Sequence, residues 1–519
     1  MLYLTQGIHR ALQNGPQRPA TMFGDRIRSW QAFADRIARL GSALRLLGVQ
    51  PGDRVSMLAV NSDRYIEYYY ATLWAGAVVV PVNTRWSLPE IVACLKDAGS
   101  SVLIFDNVYR EHAATIRDAT PVAHLIHADE GETPAGALAY ERLIATSEPM
   151  LDACRHGDAM AAIMYTGGTT GEPKGVMLSH QGVMMNCIAS SSALGLTEDK
   201  VLLHSAPLFH MAAGWTMFGA TLQGAAHAVL PSFSPAGVLA AVKSYGATHL
   251  LLVPTMVRML MDEYDAAGGD LSSLETLAYG ASPMSEGLLR RVIAALPGVR
   301  LINAYGQTEL SPAATLLLPE HHVLEGAGSR RLRSVGRPIS CIDLKVVDST
   351  GRACSPGEVG EIWVRGPTTM LGYWNKPEVS AATKVDGWVH TGDAGYLDGD
   401  GFLFLVDRLK DMIISGGENV YSAEVENALA LHEAVGDCAV FGVPDEKWGE
   451  RVHALVIPRA GHTIEAEALQ AHCRALIANY KCPRSIEVRL EPFPLSGAGK
   501  VLKTELRAPY WSGHSGRVS

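Results

Sequence analysis

The segment that decides the fold reads Met160-Ala-Ala-Ile-Met-Tyr-Thr-Gly-Gly-Thr-Thr-Gly-Glu-Pro-Lys-Gly175. Its first six residues predict a buried strand, and a helix is expected to begin near Ser179. The glycines between them let several backbone N–H groups face one anion. Further hydroxyl donors and a positive charge come from Thr166, Thr169, Thr170 and Lys174. The loop therefore predicts a phosphate cradle; a flexible surface loop is the alternative, and the strand–loop–helix setting and the lysine count against it.

Outward from this loop, apolar strands alternate with amphipathic helices. Before it, helices are predicted at 30–47, 63–75 and 89–98, with strands after them at 54–60, 77–82 and 102–106. After it, helix and strand pairs are predicted at 235–245 with 248–254 and at 284–296 with 299–304. This alternation predicts an α/β fold with helix-covered parallel β-sheets, whose ligands bind beyond the carboxyl ends of the strands.

The pattern changes towards the C-terminus. Beyond about residue 340, shorter β-like pieces separated by Gly and Asp turns predict a β-rich subdomain. From about residue 410, a compact α+β pattern is predicted, with helices at 422–431 and 465–479 and strands at 437–443 and 485–490. We therefore expect a large N-terminal domain over 1–408 and a small C-terminal domain over 409–519.

Composition narrows the class of protein. The chain has 519 residues, 48% of them hydrophobic, with a net charge of −9. An acidic balance disfavours non-specific binding of nucleic acid. The eight cysteines include no C-x-x-C pair, which fits a reducing cytoplasm and gives no zinc or redox motif. The first residues lack the pattern of a secretory signal, no apolar run is long enough to span a bilayer, and we expect a cytoplasmic protein.

The loop at 165–175 resembles the phosphate loop of the adenylate-forming enzymes, which include acyl-CoA synthetases, peptide adenylation domains and luciferases. The usual pattern of that family is Tyr-Thr-Ser-Gly-Thr-Thr-Gly-x-Pro-Lys-Gly, and Gly167 here replaces the serine. It is not a Walker A loop, because Lys174 lies between a proline and a glycine. The family's further motifs follow in order along nearly the whole chain. The resemblance implies an AMP-forming acyl-CoA synthetase of the fatty-acyl or aryl-acid type, with ATP, Mg²⁺ and coenzyme A.

The resemblance also assigns residues to the nucleotide. The residues for the phosphates and the adenine are Thr166, Gly167, Gly168, Thr169, Thr170, Gly280, Ala281, Ser282, Asn303, Ala304, Tyr305 and Gly306. Thr308 would contact phosphate and Glu309 would bind Mg²⁺, which agrees with the preference of that ion for carboxylate oxygen. Asp393, in His390-Thr-Gly-Asp393, would bind the ribose hydroxyls, and Arg408 the ribose or a phosphate.

Other residues are assigned to the mobile domain and to coenzyme A. By resemblance, Lys410 is the hinge, Gly416 and Gly417 line the coenzyme A channel, and Trp448 lies beside it. Lys500 is expected to enter the active site during adenylation. The residues upstream of Gly499-Lys500 depart from the family's usual pattern, while the Gly-Lys core is present.

The acid and the acceptor are less constrained. His210, in Pro207-Leu-Phe-His-Met211, would form a wall or gate of the acyl pocket; a satisfied, partly buried histidine is an equal alternative. Small, apolar pocket loops favour a hydrophobic fatty or aromatic monocarboxylate, and Ala212 tilts this slightly towards aliphatic chains. The alternatives are an acyl-AMP ligase that loads a carrier protein, and a catalytically silent nucleotide-binding homologue. A homodimer is the commonest oligomeric state for such a protein.

Overall fold

The computed structural model describes residues 2–166, 173–282, 284–409, 411–416, 418–495 and 501–512. The strands are β1 (Pro19–Phe23), β2 (Arg26–Ser29), β3 (Arg54–Leu58), β4 (Val78–Pro81), β5 (Val102–Phe105), β6 (His124–His127), β7 (Leu138–Ala139), β8 (Met160–Thr166), β9 (Lys174–Ser179), β10 (Val201–His204), β11 (Ala226–Val229), β12 (His249–Leu252), β13 (Thr276–Gly280), β14 (Arg300–Gly306), β15 (Ala313–Leu317), β16 (Arg337–Pro338), β17 (Asp343–Val347), β18 (Gly360–Arg365), β19 (Gly372–Tyr373), β20 (Lys384–Val385), β21 (Trp388–Leu397), β22 (Leu403–Arg408), β23 (Ile413–Ser415), β24 (Glu418–Val420), β25 (Val435–Asp445), β26 (Gly449–Pro458) and β27 (Ser485–Val488).

The α-helices of the described residues are α1 (Gln6–Asn14), α2 (Trp30–Leu46), α3 (Asp63–Trp74), α4 (Leu88–Ala98), α5 (Ala113–Ala119), α6 (Tyr140–Thr146), α7 (His180–Leu194), α8 (Met211–Gln223), α9 (Pro235–Tyr245), α10 (Pro254–Ala267), α11 (Glu286–Ala295), α12 (Pro377–Thr383), α13 (Ser422–Ala430), α14 (Ala466–Leu476) and α15 (Lys503–Trp511). The helices and strands predicted from periodicity are present, with ends that shift by a few residues.

Two large sheets form the framework. The first has the strand order β16-β15-β14-β13-β12-β10-β11-β1-β2, and the second has the order β19-β9-β8-β4-β3-β5-β6-β7. Their inner strands are parallel, whereas edge pairs such as β14 with β15 and β8 with β9 are antiparallel. The α/β fold class is confirmed, with parallel sheets in a large N-terminal part of the chain.

The helices form where local chemistry and burial agree. Helix α2 begins after Ser29, whose side chain accepts from the N–H of Ala32, and it buries an apolar face that includes Phe33 and Ile37. Helix α3 is buried on all sides, and its residues belong with both sheets to one core cluster. A helix enclosed in this way makes the large domain a layered unit.

Two smaller sheets follow. The third is antiparallel, with the order β17-β18-β21-β20 and β22 beside β21, and it corresponds to the expected β-rich subdomain. The fourth has the order β24-β23-β26-β25, with β27 beside β26 and helices α13 and α14 packed on its core. It lies C-terminal to β22 and forms the smaller α+β part of the chain. Within the described ranges, no helix combines the length and apolar character needed to cross a lipid bilayer.

One strand was not predicted from the sequence. The glycine-rich loop connects the two strands of an antiparallel hairpin, β8 and β9, and Thr166 pairs with Lys174 at its end. Helix α7 then begins at His180 with Ser179 as its N-cap, where a helix was expected. Val176 and Leu178 of β9 are buried in the core beside β8.

Candidate active site

A cleft of about 3140 Å³ lies between the large sheets and the small C-terminal domain. The predicted residues that line it are Thr166, Lys174, His210, Ala281, Ser282, Asn303, Ala304, Tyr305, Gly306, Thr308, Glu309, Asp393 and Arg408. They come from loops and strand ends hundreds of residues apart in sequence. The fold therefore brings most of the motif residues to one cleft.

The carboxyl ends of the parallel strands β13 and β14 form one wall. Gly280 pairs with Ala304 across these strands, and a Cβ added at Gly280 would lie 2.2 Å from the carbonyl oxygen of Ala304. Only glycine fits at this approach. The next residue, Ala281, has a left-handed backbone (φ +67°). Ala281, Asn303 and Gly306 all line the cleft. This wall presents small side chains and backbone, which suits a flat ring.

A buried carboxylate at the cleft is held from two sides. Asp393 Oδ2 accepts a hydrogen bond of 2.8 Å from the hydroxyl of Tyr305, and Asp393 Oδ1 lies 2.8 Å from Nε of Arg408. Asp393 is 7% exposed. The nearby charge of Asp393 raises the pKa of Arg408, and burial raises the pKa of Tyr305 well above its usual value. A neutral phenol and a guanidinium therefore fix the carboxylate in one orientation.

A second carboxylate lies nearby in a short 3₁₀ turn, Thr308–Leu310. Glu309 is 8% exposed, and its Oε1 accepts 2.9 Å from the hydroxyl of Tyr373. Burial raises the pKa of Tyr373, so this hydroxyl stays a donor. Nζ of Lys174 lies 5.4 Å from the centre of the Tyr373 ring. A nearly buried carboxylate that opens to the cleft, with lone pairs remaining, has the donor chemistry that fits a hard divalent cation.

The base of the glycine-rich loop, on β8 and β9, is hydrogen-bonded to Asp97 of α4 and to Trp374. The Tyr165 hydroxyl donates 2.6 Å to the carboxylate of Asp97, and the indole N–H of Trp374 donates 2.8 Å to the Asp97 carbonyl. The backbone N–H of Trp374 also donates to Gly175. Thr166 and Lys174 thus hold fixed positions at the cleft. The predicted Gly167, Gly168, Thr169 and Thr170 lie outside the described residues.

His210 lines the cleft immediately before helix α8. Its ring centre is 4.3 Å from that of Phe209, and both side chains line the cleft with Met211. Met211 and Phe209 are buried. The arrangement fits an apolar wall for an acyl group.

The residues assigned to the coenzyme A channel meet one another away from this cleft. The N–H of Gly416 donates 2.8 Å to the carbonyl of Trp448, and a Cβ at Gly416 would lie 2.6 Å from the indole ring. The guanidinium of Arg484 lies 4.3 Å from the centre of the Trp448 ring. Neither Gly416 nor Trp448 lines the cleft in this arrangement of the domains.

Three predicted residues of the small domain, Lys410, Gly417 and Lys500, lie outside the described residues. Leu495 and Val501, on either side of the segment that contains Lys500, line the cleft. The residues that adjoin the C-terminal lysine motif therefore border the same cleft as the carboxylates of the large domain.

Sequence reasoning missed Tyr373 and Asp97. Tyr373 lies 64 positions from Glu309, and Asp97 lies 68 positions from Tyr165. The aromatic pair Tyr373-Trp374 after Gly372 was the available signal for an ordered turn, but no local spacing connects it with either partner.

Comparisons with known proteins agree with this geometry. A family model described as AMP-binding enzyme matches residues 8–374, and one described as AMP-binding enzyme C-terminal domain matches residues 424–500. The chain is 40% identical over 499 residues to a feruloyl-CoA synthase from Amycolatopsis sp, covering 96% of this chain and 97% of that protein. It is 33% identical over 514 residues to a fatty acid–[acyl-carrier-protein] ligase, ScoC, from Streptomyces coeruleorubidus, covering 98% and 96%.

A solved structure also matches over the whole length. The o-succinylbenzoate coenzyme A synthetase from Bacillus subtilis, in complex with ATP and magnesium ion, aligns with a TM-score of 0.84 and 29% identity. The alignment covers 96% of this chain and 98% of that one.

Proposed function

Because this chain belongs to the AMP-binding enzyme family, we propose that it converts a hydrophobic aromatic monocarboxylate to its coenzyme A thioester by way of an acyl-adenylate. The class of reaction is that of an AMP-forming acid–CoA ligase. The observation that carries the proposal is the cleft in which Glu309, Asp393 and Arg408 meet beside the end of the glycine-rich hairpin. These groups suit a nucleotide with its phosphates and metal.

The residues divide into three roles. Tyr305, together with the backbone at 280–282 and 303–304, would hold the adenine, and Asp393 would accept from the ribose hydroxyls. Thr166, Lys174 and Thr308 would bind the phosphates. Glu309 would hold Mg²⁺, which neutralises phosphate charge when bound.

The same groups favour the first half of the reaction. A carboxylate oxygen attacks the α-phosphate of ATP, the bond to the β-phosphate breaks, and diphosphate leaves. Arg408, Lys174 and Lys500 would stabilise the negative charge that gathers there, and the wall of the cleft positions the acid. A covalent enzyme intermediate is unnecessary, because the mixed anhydride is already an activated acyl donor.

In the second half of the reaction, the thiol of coenzyme A attacks the acyl carbon and AMP leaves. We propose that the small domain turns between the two halves at Lys410, with the domain boundary at 408/409. The change of sheet between β22, which ends at Arg408, and β23, which begins at Ile413, supports that boundary. After rotation, the loop at Gly416 and Gly417 with Trp448 would line the path of the pantetheine arm.

The choice of an aromatic acid rests on the relatives and on the wall at His210. Identity is 40% with the feruloyl-CoA synthase and 33% with the fatty-acid ligase. The Phe209 and His210 rings, inclined by 48° to each other, line the cleft beside Met211 as an aromatic and apolar wall. These observations outweigh the slight preference for aliphatic chains that Ala212 suggests. Each extra methylene would discriminate between acids by only about 1–3 kcal/mol.

A carrier protein is the second candidate acceptor, because ScoC is named as a carrier-protein ligase and aligns over nearly the whole chain. Against it, the segment Asp445-Glu-Lys-Trp-Gly449 is similar to CoA ligases. It also forms an ordered turn in which Asp445 accepts from the N–H groups of Lys447 and Trp448.

The test is diphosphate release with a panel of hydroxycinnamates, benzoates and fatty acids, each with and without coenzyme A. We expect repeated turnover that requires coenzyme A and is fastest with a hydroxycinnamate. A preference for fatty acids would overturn the acid class and leave the reaction standing. Release that stops after one turnover with coenzyme A present, but resumes with a phosphopantetheinylated carrier protein, would overturn the acceptor.

A further inference from the structure

A hydrogen bond from Arg258 connects the two domains. Arg258 lies in the second turn of α10, and its Nη1 donates a hydrogen bond of 2.7 Å to the carbonyl oxygen of Gly436. The two residues are 178 positions apart, one on a helix of the large domain and one on β25 of the small domain. Both line the cleft.

The carbonyl of Gly436 is available because the sheet is irregular there. In the pairing of β25 with β26, Val435 lies opposite Pro458 and Asp437 opposite Ile457, so Gly436 is the extra residue of a bulge. A Cβ at Gly436 would lie 3.0 Å from the carbonyl oxygen of Pro458, so the close approach suits glycine. A bulge redirects backbone groups out of the ladder, and here the carbonyl meets the guanidinium.

Charge reinforces the contact. Asp437 follows Gly436 directly, and the positive charge of Arg258 stabilises its carboxylate. Arg258 therefore faces an acceptor and a neighbouring carboxylate on the same strand. The first turn of α10, with Pro254 and Thr255, also lines the cleft, so the helix that carries the contact also borders the site.

We propose that Arg258 is a positioning residue that holds the small domain in the orientation for acyl-adenylate formation, and that its bond to Gly436 breaks before thioester formation. The inference rests on the proposed two-step function. In the present arrangement, Leu495 and Val501, on either side of the segment with Lys500, line the same cleft as Glu309 and Asp393, whereas Gly416 and Trp448 do not line it. This is the arrangement that the first half-reaction needs.

The size of the interaction suits a contact that breaks in each turnover. One hydrogen bond from a guanidinium to a backbone carbonyl at an open cleft shifts an equilibrium by about fivefold to tenfold. That is enough to favour one orientation and too little to lock it.

The test separates the two half-reactions in the full-length enzyme. Arg258→Met keeps much of the apolar stem and removes the donor, and Arg258→Lys restores a donor with a different shape. We expect Arg258→Met to slow diphosphate release from acid and ATP by about fivefold and to leave thioester formation from supplied acyl-AMP unchanged or faster. Arg258→Lys should recover part of the loss.

Arg10→Met is the matched control. Arg10 is also exposed and donates 3.1 Å to a backbone carbonyl, that of Leu222, but both residues belong to the large domain. It should leave both half-reactions unchanged. Equal losses in both half-reactions for Arg258→Met, or no loss in either, would overturn the proposal.

A second readout does not depend on catalysis. The rate at which trypsin separates the two domains, followed by fragment mass, should rise in Arg258→Met and stay unchanged in Arg10→Met. If the wild-type enzyme releases no diphosphate with any acid, the proposed function fails, and this measurement still decides the contact. An unchanged cleavage rate in Arg258→Met would refute the proposed role of the Arg258–Gly436 contact.

Discussion

The two sides of the cleft are built differently. On the large domain, Tyr305, Glu309 and Asp393 are 7–8% exposed, and each is hydrogen-bonded to a side chain from a distant segment. On the small domain, the cleft-lining lysines Lys503 and Lys481 have side chains about 20% exposed, at 19% and 21%. At these positions the large domain offers nearly buried, hydrogen-bonded groups, whereas the small domain offers partly exposed lysines.

The charge pairs of the small domain also stay within it. Lys503 lies 2.6 Å from Glu426, and Lys481 lies 2.7 Å from Glu424. A rotation of the small domain as one body would leave these pairs intact. The comparison teaches that the carboxylates of Asp393 and Glu309 are held by contacts within the large domain. The small domain, in contrast, can move without breaking its own ion pairs.

Replacement of Lys500 would produce the largest difference between the two half-reactions. We expect Lys500→Ala to slow adenylation by about 10²–10³, the usual cost of one charge-stabilising contact to a transition state. Thioester formation from supplied acyl-AMP should be spared, because the lysine would leave the site for that step. Lys243→Ala, on an exposed lysine of α9, is the control. Equal loss of both steps would count against a moving small domain.

Glu309→Gln tests the proposed role of the Glu309 carboxylate as a metal ligand. The change keeps the shape and removes the charge, so we expect diphosphate release to fall by about 10² and the Mg²⁺ concentration needed for half-maximal rate to rise. Tyr373→Phe removes only the hydrogen bond to the same carboxylate and should cost about tenfold at most. A titration of Mg²⁺ against rate measures both. An unchanged Mg²⁺ requirement in Glu309→Gln would remove this residue from the metal site.

Lys503→Met should weaken the small domain. Lys503 is partly buried and also donates 2.6 Å to Ser422, so its loss leaves Glu426 half-buried without this partner. Broken buried pairs cost about 3–5 kcal/mol and exposed pairs about 0–1, and we expect an intermediate loss of about 2 kcal/mol in the free energy of unfolding. Denaturant unfolding followed at the small domain measures it. Lys200→Met breaks a pair in the large domain whose carboxylate partner, Glu275, is 48% exposed, and should cost less than half as much.

The smallest expected effect is a pH dependence of the small domain. Burial lowers the pKa of His453 to about 4, and its Nδ1 lies 2.7 Å from the Ser485 hydroxyl. Since the unfolded histidine titrates near 6.5, the unfolded state binds more protons between pH 6.5 and 4, and stability falls as the pH falls through that window. From pH 6.5 to 5.5 the loss should be about 1 kcal/mol. His453→Gln should flatten this part of the profile; an unchanged slope would exclude His453 as its source.

Much of the fold and part of the candidate site could be predicted from local patterns in the sequence. The helix at Trp30 and the strand β3 after it follow from the pattern of apolar residues, because burial on one face of a helix needs a period of 3.6. Strands β1 and β2 before it were not predicted. The hairpin at Lys174 was missed because a strand of six residues beside a glycine loop gives little periodic signal. The roles of Lys500 and Lys410 stay predictions.

The sequence by itself determined the α/β class, the order of the motifs and the kinds of side chain available to bind phosphate and metal. These are properties of short segments, and propensity and patterning act over such lengths. Only the tertiary structure decided that Tyr373 braces Glu309, that Arg408 pairs with Asp393 in the same cleft, and that Arg258 meets Gly436. Arg408 and Asp393 lie opposite each other on the paired strands β22 and β21, whereas the other two contacts join different sheets or domains. All three depend on how distant segments pair and pack, which no local spacing records.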